Sequence, residues 1–282
     1  MMAMGMHRPR KRYGQNFLVD RGIVAKILAS IDPRPQDRVV EIGPGLGVLT
    51  EPLLERLPSL DVVEIDRDLA AVLAERFPPD HLRVHVGDAL AFDFCALGSE
   101  LRVVGNLPYN ISTPLLFHLA ASAQCLRDCH FMLQREVVQR MAAQPGGREY
   151  GRLTVMLQYR FQVEKLLRVP AGAFNPVPQV ESAFVRLTPH RQLPSVAADE
   201  KLFAEVVRAA FTQRRKTLRN ALRDHASADE LSGLGIDPGL RPERLSVKEF
   251  VQIANAVTAR NVNAGLGASG SGVLPASHAR GR

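Results

Sequence analysis

From Arg38 onward the chain repeats short runs of β-branched and aliphatic residues: RVVEI (38–42), LDVVEI (60–65), LRVHV (82–86), LRVVG (101–105) and CHFMLQ (129–134). These runs are apolar at consecutive rather than alternate positions, which predicts strands covered on both faces. Between them, Val48–Leu57, Arg67–Arg76 and Ser112–Ala121 carry apolar side chains at helical spacing. Strands and helices in alternation predict right-handed βαβ units and an open, doubly wound α/β sheet. Further on, GRLTVMLQYRF predicts a buried helix. QVEKLLRVP and VESAFVRLTP predict two closing strands around a loop, AGAFNPVPQ.

Past Pro189 the pattern changes. Residues 200–259 read as helical throughout, with breaks at Gly233, Gly235 and Pro238–Pro242, and Ser246 with Glu249 forms a capping box for the last helix. The predicted organisation is a catalytic α/β domain over 1–190 and a smaller all-helical domain over 191–260. A Gly/Ala/Ser-rich tail without acidic residues, 261–282, is expected to be disordered. No internal repeat is present.

The bulk composition, 46% hydrophobic and 23% charged, is that of a soluble globular protein. No apolar run approaches the roughly 20 residues of a bilayer span. The basic N-terminus lacks the apolar stretch of a secretory signal, and it runs directly into functional sequence. The three cysteines, Cys95, Cys125 and Cys129, lack a metal-ligand layout and are expected to be buried, reduced thiols of a cytoplasmic protein. No metal site is expected. The net charge of +7 favours a polyanionic partner, nucleic acid first.

The segment VVEIGPGLGVLT is a strand, a tight glycine turn and a helix start. Gly43, Gly45 and Gly47 let the backbone turn sharply and approach a ligand. Glu64, at the end of the next strand, stands where a carboxylate can accept hydrogen bonds from both hydroxyls of a ribose. The dinucleotide-binding pattern G-x-G-x-x-G requires a third glycine where Val48 stands, which excludes an NAD-dependent oxidoreductase. The loop follows the E-x-G-x-G-x-G pattern of class I methyltransferases instead, Glu41 included. Asp88, after the third strand, is placed to accept from an adenine amino group, or else to cap a helix.

The next strand ends in Asn106-Leu107-Pro108-Tyr109. The exocyclic amine of adenine is a weak nucleophile because its lone pair is delocalised into the ring. Acceptors for its two protons, the Asn106 amide oxygen and the Leu107 carbonyl, would let the nitrogen become pyramidal as it attacks a methyl donor. Pro108 stiffens the turn, and Tyr109 offers a flat face to a base taken out of its stack.

With these motifs, the chain resembles the ribosomal RNA adenine dimethyltransferases from Lys11 to about residue 258. YGQNFLVD, EIGPGLG, VVEIDRDL, GNLPYNIS, FMLQREVVQRM, FNPVPQVESAFVRL and FTQRRKTLRNAL all take part in the likeness. Leucine at 107, where DNA adenine methyltransferases usually carry proline, fits this group. The resemblance implies S-adenosylmethionine as cofactor and dimethylation of two adjacent adenosines near the 3′ end of small-subunit rRNA. It also implies that Asn16 and Leu18 contact the cofactor, and that Phe174 faces Tyr109 across the target base. Two alternatives stay open: a 23S rRNA methyltransferase of the macrolide-resistance type, and an assembly factor with little catalysis.

In VVRAAFTQRRKTLRNALRDH, Arg208, Arg215, Arg219 and Arg223 fall on one helical stripe opposite Val207, Phe211, Leu218 and Leu222. The expected role of this stripe is an RNA phosphate track. The immature 30S subunit is the expected partner, and the protein is expected to act as a monomer in the cytoplasm.

Overall fold

The computed structural model of the chain describes residues 16–268. The chain divides into two compact units. The first comprises the chain up to Gln144 together with Glu149–Leu193, and the second comprises Pro145–Arg148 and the chain from Pro194.

In the first unit the elements are β1 (Phe17–Leu18), α1 (Arg21–Ile31), β2 (Arg38–Ile42), α2 (Thr50–Leu54), β3 (Leu60–Glu64), α3 (Arg67–Arg76) and β4 (Leu82–Val86). They continue with β5 (Leu101–Asn106), α4 (Ser112–Ala121), β6 (Leu126–Gln134), α5 (Arg135–Met141), α6 (Arg152–Arg160), β7 (Phe161–Val169), β8 (Phe174–Asn175) and β9 (Ser182–Pro189). Seven strands form one sheet in the order β4-β3-β2-β5-β6-β9-β7. The first five are mutually parallel, and β9 runs antiparallel to both of its neighbours. The doubly wound α/β sheet expected from the alternation is therefore present.

Consecutive strand residues enter opposite cores, which is why apolar residues stand at adjacent positions in the runs. Val40, Val63 and Val103 pack on one face with Leu115, Leu116, Phe131 and Leu157. Their neighbours Val39, Val62 and Val104 pack on the other with Ile27, Leu53, Leu73 and Phe184. Each fully buried side chain of this size is worth roughly 1.5–3 kcal/mol of transfer free energy. Two aspartates start the covering helices: Asp20 Oδ1 accepts the Ile23 N–H at 3.0 Å, and Asp66 Oδ1 accepts the Asp68 N–H at 3.1 Å.

At the edge of the sheet opposite the glycine loop, the guanidinium of Arg102 is buried. It donates to Asp37 at 2.7 Å, to Asp128 at 3.0 Å, and to the carbonyls of Ile31 at 2.7 Å and Asp32 at 3.3 Å. This pairing ties β5 to β6 and to the end of α1, leaving the other edge free for chemistry.

Three expectations are corrected. The loop AGAFNPVPQ contains a strand, β8, which pairs antiparallel with β1 through Phe17↔Asn175 and Leu18↔Phe174. The pairing supplies backbone partners that the sequence pattern of either segment alone does not reveal. Cys95 and Cys125 are joined in a disulfide, because a 3-10 turn over Phe94–Leu97 brings Cys95 against the start of β6. Only Cys129 is a free thiol; it is buried, and burial pushes its pKa well above the usual value. The last helix extends beyond residue 260, into the segment read as tail.

The second unit contains α7 (Glu200–Thr212), α8 (Leu218–Ala221), α9 (Ala228–Gly233) and α10 (Val247–Ala268). Ser246 and Glu249 form the expected box at the start of α10. Residues 269–282 of the proposed tail, and the basic residues before Asn16, lie outside the described residues. Among the described residues no helix is long and apolar enough to cross a membrane.

The basic stripe is also corrected. α7 ends at Thr212, and the chain turns over 213–217 before α8 begins. The Leu218 and Arg219 N–H groups donate to the Leu240 and Pro238 carbonyls, at 2.7 and 3.0 Å. Those external acceptors take the bonds that one continuous helix would need. Arg208 therefore lies on α7, Arg215 in the turn, Arg219 on α8 and Arg223 after it. All four are exposed.

Candidate functional site

Parallel order reverses between β2 and β5, which opens a crevice at the carboxyl ends of those strands. The strands deliver the polar residues to it by register. β2 ends in the glycine loop, β3 in Glu64, β4 leads to Asp88, and β5 ends at Asn106. One cavity is lined by Asn16, Leu18, Gly43, Gly45, Glu64, Asp88, Asn106, Leu107 and Tyr109. Nine of the residues singled out for catalysis or cofactor binding thus meet in one place.

Close backbone approach explains two glycines. Gly45 has φ +57°, and a Cβ there would stand 3.0 Å from the Phe17 ring. A Cβ at Gly105 would stand 2.6 Å from the Ile42 carbonyl oxygen, at the point where β2 and β5 diverge. The loop so formed lines the crevice with Gly43 and Gly45, where no Cβ keeps a ligand off the backbone, together with Pro44 and Leu46.

Glu64 is 4% exposed. Its Oε2 accepts the Gly45 N–H at 3.2 Å and its Oε1 accepts the Asp66 N–H at 2.9 Å. Burial raises its pKa, opposed by those two N–H groups. Each oxygen keeps a further lone pair, so the carboxylate suits a pair of donors such as the hydroxyls of a ribose. Asp88 is exposed and caps a turn, with Oδ1 accepting the Leu90 N–H at 2.9 Å. Capping engages one oxygen, and Asp88 is among the residues that line the cavity.

Glu41, behind the loop, accepts the Thr50 hydroxyl at 2.7 Å and is buried beside Glu64. Burial, reinforced by the Glu64 charge and opposed by Thr50, pushes its pKa up to about 8. An acid whose pKa is raised on folding binds more protons folded than unfolded. Its contribution is therefore complete below about pH 4.5 and is lost as pH rises toward 8. Glu41→Gln keeps an acceptor for Thr50 and removes the titration. Between pH 5 and 7 the wild type should lose roughly 2 kcal/mol that the variant keeps. Thermal unfolding of both across that range checks this, and parallel curves would exclude a neutral Glu41.

Asn106 is oriented by its neighbours. Its Nδ2 donates to the backbone carbonyl of Asn16 at 2.9 Å. A carbonyl only accepts, so the amide must present its nitrogen there and keeps Oδ1 as an acceptor. The following turn is anchored by the Leu107 N–H, donating to the Met132 carbonyl at 3.1 Å, and by the Ser112 hydroxyl, donating to the Tyr109 carbonyl at 3.0 Å. The Tyr109 hydroxyl meets the buried Ser182 hydroxyl at 2.8 Å, which fixes the ring from its far end. β1, strapped to β8, brings Asn16 and Leu18 over the cavity.

Phe174 departs from its expected place. It is 2% exposed and packs in the core with Leu18, Met132 and Phe184; it is not among the residues lining the cavity. Its partner in the β1–β8 pair is Leu18, which is as deeply buried and does line the cavity.

Sequence reasoning missed Phe17, Ile65 and Ser182. Phe17 and Ile65 line the cavity, Ile65 while 44% exposed. An apolar residue directly after the strand-end carboxylate Glu64 was the available signal for Ile65. Nothing in the sequence marks Ser182, which reaches Tyr109 across 73 residues.

A buried carboxylate able to accept from two hydroxyls, beside a glycine loop that leaves the backbone open to close approach, fits S-adenosylmethionine. Among the described residues no group of three His, Cys, Asp or Glu could hold a metal ion.

The profile of the ribosomal RNA adenine dimethylase family matches residues 6–259. The chain is 60% identical over 254 residues to ribosomal RNA small subunit methyltransferase A of Laribacter hongkongensis, covering 89% of this chain and 97% of that protein. It is 59% identical over 261 residues to the protein of the same name from Aromatoleum aromaticum, covering 93% and 98%. Among solved structures it resembles a dimethyladenosine transferase from Plasmodium falciparum, with TM-score 0.74, 25% identity and coverage of 87% and 98%. It also resembles the 23S rRNA methyltransferase ErmE, with TM-score 0.69, 25% identity and coverage of 86% and 100%. With the glycine loop, the Glu64 carboxylate and the Asn-Leu-Pro-Tyr turn meeting in one crevice, the chain belongs to the ribosomal RNA adenine dimethylase family.

Proposed function

We propose that this chain dimethylates the N6 amines of two adjacent adenosines in a loop near the 3′ end of small-subunit (16S) rRNA, with S-adenosylmethionine as methyl donor. The observation that carries the reading is the Asn106 amide, held by the Asn16 carbonyl so that its oxygen remains an acceptor beside the cofactor crevice. When bound, S-adenosylmethionine supplies an electrophilic methyl on a sulfonium. Glu64 holds the ribose hydroxyls, Asp88 accepts from the cofactor's adenine amino group, and Gly43 and Gly45 let the backbone lie close to the methionine part. Asn16 and Leu18 cover the site.

Tyr109 stacks on the target adenine. Asn106 Oδ1 and the Leu107 carbonyl accept its two amine protons, and the surplus proton passes to water after transfer. Because the donor is already activated, alignment and fixed dipoles suffice without a strong base. The small-subunit target, rather than the large-subunit one, is favoured by the relatives at 55–60% identity, all named for the small subunit.

In this reading the first unit is catalytic. The helical unit guides RNA phosphates through Arg208, Arg215, Arg219 and Arg223, as separate contacts along a folded path rather than one stripe. The protein acts as a monomer in the cytoplasm on immature 30S subunits.

The test incubates the protein with methyl-labelled S-adenosylmethionine and unmethylated small subunits, followed by nuclease digestion and mass spectrometry. Dimethyladenosine at adjacent positions in a 3′-terminal loop is expected. Label confined to large-subunit RNA would replace the substrate assignment, and label on neither would remove the enzymatic one.

A further inference from the structure

The last residue of β6 and the first of β9 pair beside the catalytic turn: Gln134 opposes Ser182, and Ser182 holds Tyr109. One residue outward on each side stand Arg135 and Glu181, joined through backbone as well, with the Arg135 N–H donating to the Glu181 carbonyl at 2.9 Å. Their side chains meet too. Arg135 Nη1 donates to Glu181 Oε2 at 2.7 Å. Arg168, near the end of β7, donates through Nη2 to Oε1 at 2.7 Å and through Nε to Oε2 at 3.2 Å. Two guanidiniums share one carboxylate, which leaves a net charge of +1 next to the residues that fix the Tyr109 ring.

The two arginines stand at the surface, where the cluster is open to a further anionic partner. Arg168 is 67% and Arg135 45% exposed, and of the five N–H donors on each guanidinium only some are turned to Glu181. The loop between β8 and Glu181 also leaves Val177 and Val180 exposed, so an extended polar chain can lie against this side without displacing a packed core.

We propose that Arg135 and Arg168, preset by Glu181, form a phosphate clamp for the RNA backbone flanking the adenosine under modification. The proposal rests on the adenine-methyltransferase reading of the Tyr109 site. A nucleotide turned out of its stack to reach an aromatic face keeps its own two phosphates, which must then lie at the rim around that face. Guanidinium forks match phosphate oxygens in pairs, and a shared carboxylate holds both forks extended before RNA arrives, which reduces the ordering cost on binding. Each arginine can exchange part of its bonding to Glu181 for a phosphate while the other keeps the loop in place.

The test measures methyl transfer to unmethylated small subunits across a range of salt concentrations, for wild type, R168A, R135A/R168A and R135K/R168K. The double alanine variant is expected to raise KM for the subunit roughly 10–100-fold. Its dependence of log KM on log salt should flatten by about one for each arginine removed. Cofactor Kd and kcat at saturating subunit should stay within about twofold of wild type, since neither arginine lines the cofactor cavity. The lysine pair should restore the salt slope but only part of the KM. R168A leaves the Arg135–Glu181 pair intact and gives a several-fold effect in a protein of unchanged melting temperature, which keeps the test decisive should the double variant fold poorly. Wild-type KM and salt slope in R168A and the double variant would overturn the clamp. A fall in kcat at unchanged KM would also overturn it, because it would assign the arginines to positioning Tyr109. Wild-type protein that labels no adenosine would instead overturn the methyltransferase reading, so the two failures are distinguishable.

Discussion

Replacing Asn106 by alanine is expected to lower methyl transfer by about 10²–10³-fold, the cost of removing one preorganised group from a reacting centre. Cofactor affinity should change far less, by under about tenfold. The asymmetry follows from geometry. Asn106 contributes an acceptor whose value appears only as the amine nitrogen becomes pyramidal, while the crevice around the ribose is built from Glu64 and the glycine loop. Asn106→Asp separates the two halves of the amide. It keeps an oxygen for the amine but loses the Nδ2 donor to the Asn16 carbonyl, and sets a carboxylate against that carbonyl instead. Its expected phenotype is slow transfer together with weakened cofactor binding, as the segment carrying Asn16 and Leu18 loses its tie. Single-turnover rates with cofactor Kd from calorimetry report both quantities. Near-normal turnover in Asn106→Ala would falsify the acceptor mechanism.

Glu64→Ala should act on the other side of that division. Two hydroxyl donors on a carboxylate contribute about 1.5–3 kcal/mol each, so the variant should bind S-adenosylmethionine roughly 10²–10⁴-fold more weakly. The loss includes a structural part, because Gly45 and Asp66 would lose the carboxylate that accepts their N–H groups. Glu64→Gln removes half of each function: one oxygen remains for one of those two N–H groups, while the new amide nitrogen can accept neither from the other N–H nor from a ribose hydroxyl. An intermediate Kd is expected, with a smaller loss of melting temperature than in Glu64→Ala. A Kd unchanged in both variants would remove the ribose assignment.

The pattern of the chain was enough for the architecture of the first unit. The short β-branched runs separated by helical spacing do form the parallel strands, buried on both faces except at the edge strand β4, and α3 and α4 begin and end at the residues their spacing predicts. The cofactor site was legible for the same reason. In a parallel sheet every strand ends at one edge, so residues that follow strands in sequence converge in space even when far apart along the chain. Gly43, Glu64, Asp88 and Asn106 are brought together by that rule alone.

The places where the reading failed share a different cause. The run from Val206 to Arg223 has helical periodicity throughout, yet it breaks at 213–217 because Leu240 and Pro238 offer carbonyls to Leu218 and Arg219. A local pattern cannot reveal a competing partner some twenty residues away. Phe174 reads alike as a stacking ring or a core ring, and its burial beside Leu18 follows from the β1–β8 pairing, which no local pattern shows. Cys95 and Cys125 were brought together by a turn at the far edge of the sheet. The sequence by itself determined the sheet and which residues its strand ends deliver to the cavity, since these depend on periodicity and on which strand a residue follows. The tertiary structure alone decided the β1–β8 strap, the Ser182 anchor of Tyr109 and the Arg135–Glu181–Arg168 cluster, because each depends on a hydrogen-bond partner supplied by a distant part of the chain.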